Sequence, residues 1–253
     1  MDHVPRRIMM LVCDLDGTLL GDDEALGRFA EWYGARRAGL RLVYASGRCF
    51  ASVRHAVATT ALPAPEAVIA DVGAEIRLFA EGEPLGQWQD RFCGGWDARR
   101  ARGVLASFDA LSPQGDEFQS AYKVSYHVAD ANNEFLRRVR LALRQATLQA
   151  EVIYSSRRDL DVLPAGADKG SAAAWIARRW SIPRERVLVF GDSGNDATLF
   201  VPSFRGTVVG NAQPELAALA GPHIYRSPRC HADGVLDGLR HWLVGTPAAC
   251  AAG

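Results

Sequence analysis

The chain of 253 residues has no excess of charge of either sign: lysine plus arginine number 29, and so do aspartate plus glutamate. A nucleic acid or an anionic membrane as main partner needs a basic excess, so neither is expected. Long apolar runs are missing too, and none reaches the roughly 18 residues that span a bilayer. The short apolar run in MDHVPRRIMMLVCD ends in an aspartate and lacks a small-residue cleavage site, so it reads as a strand and not as a signal peptide. Cysteine is sparse: Cys13, Cys49, Cys93, Cys230 and Cys250 are scattered, odd in number and without a CxxC pair. That excludes a disulfide framework and a zinc site of the usual spacing, and it fits a reducing cytosol, so a cytoplasmic protein is expected. Cys13 beside Asp14 has the position of a nucleophile, but a free cysteine in an apolar strand is more often a small buried hydrophobe. Internal repeats and low-complexity tracts are absent.

What is present is a packed globular composition, 48% hydrophobic and 23% charged, at a length that suits one large domain or two modest ones. RIMMLVCD, LRLVYASGR and EAVIADVG read as buried strands, separated by the amphipathic helices EALGRFAEWYGARRAG and CFASVRHAVATTA. Strand, helix, strand, helix, strand predicts a parallel sheet with helices on its faces. Near Gly73 the rhythm breaks. GAEIRLFAEGEPLGQWQ reads as a hairpin with Gly82 and Pro84 at its turn. WDARRARGVLASFDAL reads as a helix with Val104, Leu105, Phe108 and Leu111 on one side, AYKVSYHV as a strand, NNEFLRRVRLALRQA as a helix and EVIYSSRRDLDVLP as strand. The α/β rhythm resumes with KGSAAAWIARRW, RVLVFGDS, NDATLFVP, GTVVGNA, PELAALAG and a last helix GVLDGLRHWLV. The expected fold is therefore α/β, a Rossmann-like parallel-sheet core interrupted by an α+β insert. The divisions are residues 1–87 for the first part of the core, 88–165 for the insert and 166–253 for the second part.

Ligands of parallel α/β sheets bind beyond the carboxyl ends of the strands. Four polar clusters fall where that rule puts a site: DLDGT after the first strand, SGR after the second, DKG at a helix start and GDSGND after a later strand. Each alone is ordinary turn chemistry. Four together, each at a strand end or helix start, are not explained as chance turns.

This ordered set resembles the haloacid dehalogenase superfamily of phosphotransferases, with DLDGTLL, SGR, Lys169 of DKG, and GDSGND matching its four motifs. The insert between the second and third motifs corresponds to its large C2-type cap. The stretches LVCDLDGTLLGDDEAL, YASGR, VGAEI, KVSYH, DLDVLP and VFGDSGNDATLF…GTVVGNAQPEL are similar to the sucrose-phosphate phosphatase family, to which mannosylfructose-phosphate phosphatases are closely related. Ser46 stands where many members have threonine, and either hydroxyl can bind phosphate.

The chemistry is consistent with that likeness. A carboxylate attacks a dianionic phosphate monoester only if charge is neutralised, which a divalent cation held by oxygen ligands achieves. Magnesium favours carboxylates plus retained waters. Asp14 and Asp192 can supply carboxylates, and the resemblance adds the backbone carbonyl of Asp16. It further implies that Asp14 is the nucleophile and that Asp16 is the general acid and then base. Lys169 would spread positive charge over Asp14 and the phosphoryl oxygens. Ser46 and the Gly47 amide would donate to phosphate. Asp196 would orient Lys169 or metal-bound water, and Asn195 would reach phosphate or substrate. GDSGND can at the same time cap a helix. Arg48 suits either phosphate binding or a salt bridge that anchors its loop.

For the sugar, period-two alternation puts Lys123, Ser125 and His127 on one strand face, and Asp159 and Asp161 on one face of another. If these strands are neighbours, the faces merge into a patch able to bind hydroxyls; otherwise they are the solvent side of a half-exposed sheet. Trp88 and Trp96 are expected to pack, and Pro164-Ala165-Gly166 is the hinge candidate. The resemblance implies a monomeric magnesium-dependent phosphatase acting on a sugar phosphate, with the synthase of that sugar phosphate a separate protein and transient partner. A phosphosugar mutase shares this core and cap, but it would need a bisphosphate activator. A non-catalytic sugar-sensing module is disfavoured by the intact acidic set.

Overall fold

The computed structural model describes residues 9–92, 94–201 and 204–244. In chain order the elements are β1 (Met9–Cys13), α1 (Asp23–Gly34), β2 (Leu40–Ala45), α2 (Phe50–Thr59), β3 (Ala67–Ala70), β4 (Glu75–Leu78) and α3 (Gly86–Gln89). Next come α4 (Ala98–Leu105), β5 (Ser112–Pro113), β6 (Val124–His127), α5 (Asn133–Gln145), β7 (Ala150–Ser155) and β8 (Asp159–Pro164). The chain finishes with α6 (Lys169–Arg179), β9 (Val187–Gly191), β10 (Arg205–Val208), α7 (Pro214–Ala217), β11 (Ile224–Arg226) and α8 (His231–Val244).

Seven strands form one sheet in the order β11-β10-β9-β1-β2-β3-β4, all parallel except β4. Its strands are near-continuous apolar runs because both faces are covered. In β1, Met10 and Val12 face one layer, with Ile176 and Ala173 of α6, whereas Leu11 and Cys13 face the other, with Phe29 of α1, Val53 of α2 and Leu239 of α8. Cys13 is thus a buried core residue, and burial pushes its thiol far above the usual range, as an inert cysteine requires. Cys93 and Cys250 lie outside the described residues. The chain adds β2 and β3 on one side of β1, then returns to add β9 on the other. This reversal makes the carboxyl end of β1 the switch point where ligands are expected.

The segment between β4 and α6 carries a second sheet in the order β5-β6-β8-β7, wholly antiparallel, with α4 and α5 packed on its apolar face around Val124, Leu136, Val139, Leu160 and Val162. No helix of the described residues is long and apolar enough to cross a membrane.

Several local expectations change in the folded chain. The hairpin expected over GAEIRLFAEGEPLGQWQ does not close on itself. Its first arm, β4, pairs back onto β3, a single bridge joins Arg77 to Pro84, and the second arm is the helical turn α3. Burial of Trp88 decides this, since its ring lies wholly inside the core and Nε1 donates to the Gly73 carbonyl at 2.9 Å. The helix expected through Leu111 ends at Leu105, where Ser107 Oγ donates to the Val104 carbonyl (2.9 Å) and competes with the helical pattern. Phe108 and Leu111 still pack in the same core from beyond it. EVIYSSRRDLDVLP folds as two strands, because Ser156 and Arg157 both take φ of 53°, the left-handed pair that a tight hairpin turn demands, without the usual glycine signal. The GDSGND helix is a 3-10 turn over Gly194–Phe200, and α7 is a single turn.

Candidate active site

Asp14 is the first residue after β1, and its N–H donates to the Phe190 carbonyl of β9 (3.0 Å). The buried carboxylate meets Lys169, which opens α6 behind the N-cap Asp168. Gly170 brings that helix start against the 3-10 turn, since a Cβ there would stand 1.9 Å from the Thr198 carbonyl oxygen. The result is a fully buried ammonium with three oxygen acceptors: Asp14 Oδ1 at 2.7 Å, Asn195 Oδ1 at 2.6 Å and Asp196 Oδ1 at 2.6 Å. Burial disfavours the charged lysine, but Asp14 and Asp196 outweigh it and raise its pKa.

Asp192 follows β9, receives Thr18 Oγ1 at 3.0 Å and lies within hydrogen-bonding reach of Asp14. Burial, together with repulsion from Asp196, pushes Asp192 up to about 7. Burial drives Asp14 well above the carboxylate range as well, with Lys169 opposing and Asp196 and Asp192 adding to the rise. Asp14, Asp192 and Asp196 form one acidic cluster, with an oxygen of each within 4.8 Å of the others. Asp196 is already engaged: Oδ1 takes Lys169, and Oδ2 takes the N–H groups of Asp192 (3.0 Å) and Ser193 (3.1 Å). It therefore orients Lys169 and caps its turn at once. Asp14 and Asp192 are two buried carboxylates pressed together, both raised, offering hard oxygen donors. That deficit of positive charge fits a divalent cation.

The side chain of Asp16 points elsewhere. It is 55% exposed and holds Arg48 by a fork, Nε to Oδ2 at 2.7 Å and Nη2 to Oδ1 at 2.5 Å. Of the two roles open to Arg48, the structure shows the salt bridge. Ser46, buried at the end of β2, accepts the Arg48 N–H at 3.1 Å, and Gly47 lies beside it at the cleft wall. The Asn195 amide nitrogen faces Gly47.

The second sheet supplies the other wall. β6 and β8 are neighbours, with Ser125 opposite Asp161 and His127 opposite Asp159. The two polar faces merge as one alternative required, and all of their residues but the buried Ser125 line a cleft of about 460 Å³ with Asp14, Asp16, Arg48, Asp192 and Asn195. Ser125 Oγ donates to Asp161 Oδ1 at 2.5 Å. Burial raises Asp161 above the carboxylate range, with Lys123 and Ser125 opposing. His127 Nδ1 and Arg158 Nε stand 3.0 and 3.2 Å from Asp159 Oδ1. Lys123 borders the cleft, but its ammonium reaches the Gly47 carbonyl and Asp71, not open space. Trp96 packs against the second core and donates Nε1 to the Ala121 carbonyl.

Four contributors were not singled out from sequence. Thr18 and Asp71 carried a signal: Asp71 ends a strand as Asp14 does. Asn211, after β10, and His231, at the start of α8, both approach the Gly17 carbonyl, at 2.7 and 3.1 Å, and so brace the loop behind Asp14. Nothing local marks His231 for that task.

A strand-end aspartate held by a helix-start lysine, a serine loop at the next strand, a second acidic turn and an inserted α+β lid over them define a capped phosphatase of the haloacid dehalogenase superfamily. Comparison with known proteins narrows this. Residues 7–243 match the family described as sucrose-6F-phosphate phosphohydrolase. A mannosylfructose-phosphate phosphatase of Agrobacterium fabrum is 36% identical over 93% of this chain and 97% of its own. Sucrose-phosphatase 1 of Nicotiana tabacum is 32% identical over 94% of this chain, which spans only 60% of that relative. The solved sucrose-phosphatase of Synechocystis, in complex with sucrose and phosphate, superposes with a TM-score of 0.88 at 33% identity, covering 94% of this chain and 98% of that one. The chain belongs to the sucrose-6F-phosphate phosphohydrolase family, a family of phosphate-monoester phosphatases.

Proposed function

We propose that this protein hydrolyses the phosphate monoester of a disaccharide, sucrose 6-phosphate, and that it does so with magnesium. The observation that carries the reading is one cleft lined both by Asp14, which Lys169 holds from behind, and by His127, Asp159 and Asp161 of the second sheet. The division into core (1–87 and 166–253) and cap (88–165) belongs to this proposal. So do the cytoplasmic location, the monomeric state and a separate synthase as transient partner.

Asp14 attacks phosphorus through a carboxylate oxygen, forming an aspartyl-phosphate as the bond to the sugar oxygen breaks. Lys169, held by Asp196 and Asn195, offsets charge on Asp14 and the phosphoryl oxygens. Ser46, the Gly47 amide and Asn195 donate to the other phosphate oxygens, and Arg48 exchanges Asp16 for phosphate. Asp16, so released, gives a proton to the departing sugar oxygen and then takes one from the water that opens the phosphoenzyme. Asp14 and Asp192, with the Asp16 backbone carbonyl, would hold magnesium, which supplies the positive charge that lets a carboxylate approach a dianion. His127, Asp159 and Asp161 contact sugar hydroxyls, donor and acceptor alternately.

The test is phosphate release, with magnesium, from sucrose 6-phosphate, mannosylfructose phosphate, fructose 6-phosphate and glucose 6-phosphate. A kcat/KM for sucrose 6-phosphate well above the other three supports the proposal. The second reading, mannosylfructose phosphate, is favoured by the Agrobacterium relative, matched over nearly its full length. A mutase would convert isomers and release little phosphate.

A further inference from the structure

Lys123 stands just before β6 on the cap sheet and acts electrostatically on Asp161 of β8, yet its ammonium's hydrogen bond and ion pair both go to loops of the larger sheet. Nζ donates to the Gly47 carbonyl at 2.8 Å and lies 3.2 Å from Asp71 Oδ1. The lysine side chain is 2% exposed and that of Asp71 is 7% exposed. The ammonium's anion and its carbonyl acceptor both come from across the cleft.

The Gly47 carbonyl is one end of a peptide group whose other end is the Arg48 N–H, donated to Ser46 Oγ. A peptide is planar, so fixing its carbonyl fixes the direction of its N–H. With that N–H directed into it, Ser46 Oγ is an acceptor on one side, and its own proton is left to donate outward. The same loop is tied from behind. Asp71 N–H donates to the Arg48 carbonyl and Val72 N–H to the Ser46 carbonyl, both at 3.0 Å. Asp71 and Val72 hold φ of 51° and 60°, a left-handed conformation that is uncommon for a β-branched residue and persists only where surroundings impose it. Loop 46–48, the bend at 71–72 and Lys123 form one hydrogen-bonded unit. Another cap-to-core hydrogen bond, Ser156 N–H to Glu215 Oε1 (3.0 Å), holds the β7–β8 turn and leaves the loop untouched.

We infer that Lys123 is a positioning residue for the phosphate-binding loop: the cap lends an ammonium that fixes the Gly47–Arg48 peptide, so that Ser46 presents its proton to phosphate when the cap is seated. This replaces the sugar contact expected of Lys123 from its place in the strand pattern. It rests on the reading of Ser46–Arg48 as the phosphate loop, not on which sugar is bound.

The experiment compares the full chain with Lys123→Met, Asp71→Asn and the double variant, in magnesium. Substrates are sucrose 6-phosphate and 4-nitrophenyl phosphate, and inorganic phosphate serves as inhibitor. Lys123→Met should lower kcat/KM about tenfold for both esters, the scale of one lost charge-assisted hydrogen bond, and weaken phosphate inhibition. Asp71→Asn should move both in the same direction, and the double variant should be little worse than Lys123→Met alone, because the two act through one contact. A loss confined to the sugar ester, with phosphate inhibition unchanged, would overturn the inference and restore the sugar contact. So would strictly additive losses. The double variant removes both members of the Lys123–Asp71 pair together, so it keeps the test open if Lys123→Met does not fold: unchanged turnover of the aryl ester there refutes positioning. Because the aryl ester and phosphate carry no sugar, they test the loop even if sucrose 6-phosphate proves to be the wrong substrate.

Discussion

Asp14 and Asp16 differ by two positions and in almost everything else. One is buried beside Lys169 and Asp192; the other is half exposed on Arg48. The difference fits the roles proposed for them, nucleophile for the first and proton carrier for the second. Asp14→Asn should abolish turnover, a fall of at least a thousandfold, while circular dichroism and the melting curve show a folded protein; substantial activity in that folded variant would remove Asp14 from its role. Gly17 separates these acids from Thr18 at φ +84°, and a Cβ there would lie 2.3 Å from Asp192 Oδ2. Gly17→Ala therefore combines backbone strain with displacement of the Asp192 carboxylate. We expect a loss of about 1–3 kcal/mol in urea unfolding and a larger fractional loss of kcat. A variant with wild-type kcat would mean that the loop adjusts without moving Asp192.

At the scale of elements, β6 and β8 do what neither does alone. Each contributes alternate polar residues, and antiparallel register brings Ser125 to Asp161 and His127 to Asp159 across the cleft wall. His127→Ala and Asp161→Ala should raise KM for the sugar phosphate roughly tenfold and leave KM for 4-nitrophenyl phosphate nearly unchanged. Equal effects on the two esters would assign these residues to folding of the cap and not to recognition. The Ser155–Arg158 turn, with two left-handed non-glycine residues, joins β7 to β8 and puts Ser155 opposite Asp159. Helix α6 has the matching task on the core side. Its start must come close enough to bury Lys169, and Gly170 permits the approach.

Across the whole molecule, the acidic cluster couples stability to pH and to cations. Asp14 and Asp192 hold their protons more tightly folded than unfolded, Asp192 with a pKa of about 7 against an unperturbed 3.8. Between those values the folded state binds more protons, so this contribution to stability is full below about pH 4 and is lost as pH rises through about 7. For Asp192 alone the difference is at most roughly 4 kcal/mol. A divalent cation favours the ionised pair and removes the penalty. Magnesium should therefore raise the melting temperature more at pH 7.5 than at pH 5, with chelator-treated protein as reference. An equal rise at both values would separate cation binding from these two carboxylates.

The sequence by itself determined the open parallel sheet, the inserted α+β unit and the order of the four polar clusters. These follow from apolar runs, alternation and turn chemistry, which are properties of residues close together in the chain. It also placed Asp14, Ser46, Lys169 and Asp192, because each stands at a strand end or helix start. Only the tertiary structure decided which oxygens meet. Lys169 lies 155 positions from Asp14, and Lys123 lies 76 from Gly47. Alternation gave Lys123 its face but not its partners, which are set by how the cap sheet seats on the core. His231 had no local pattern to mark it, since its contact with Gly17 spans 214 positions. The same holds for the φ values of Ser156 and Arg157: burial and pairing on both sides impose a turn that their residue types do not request.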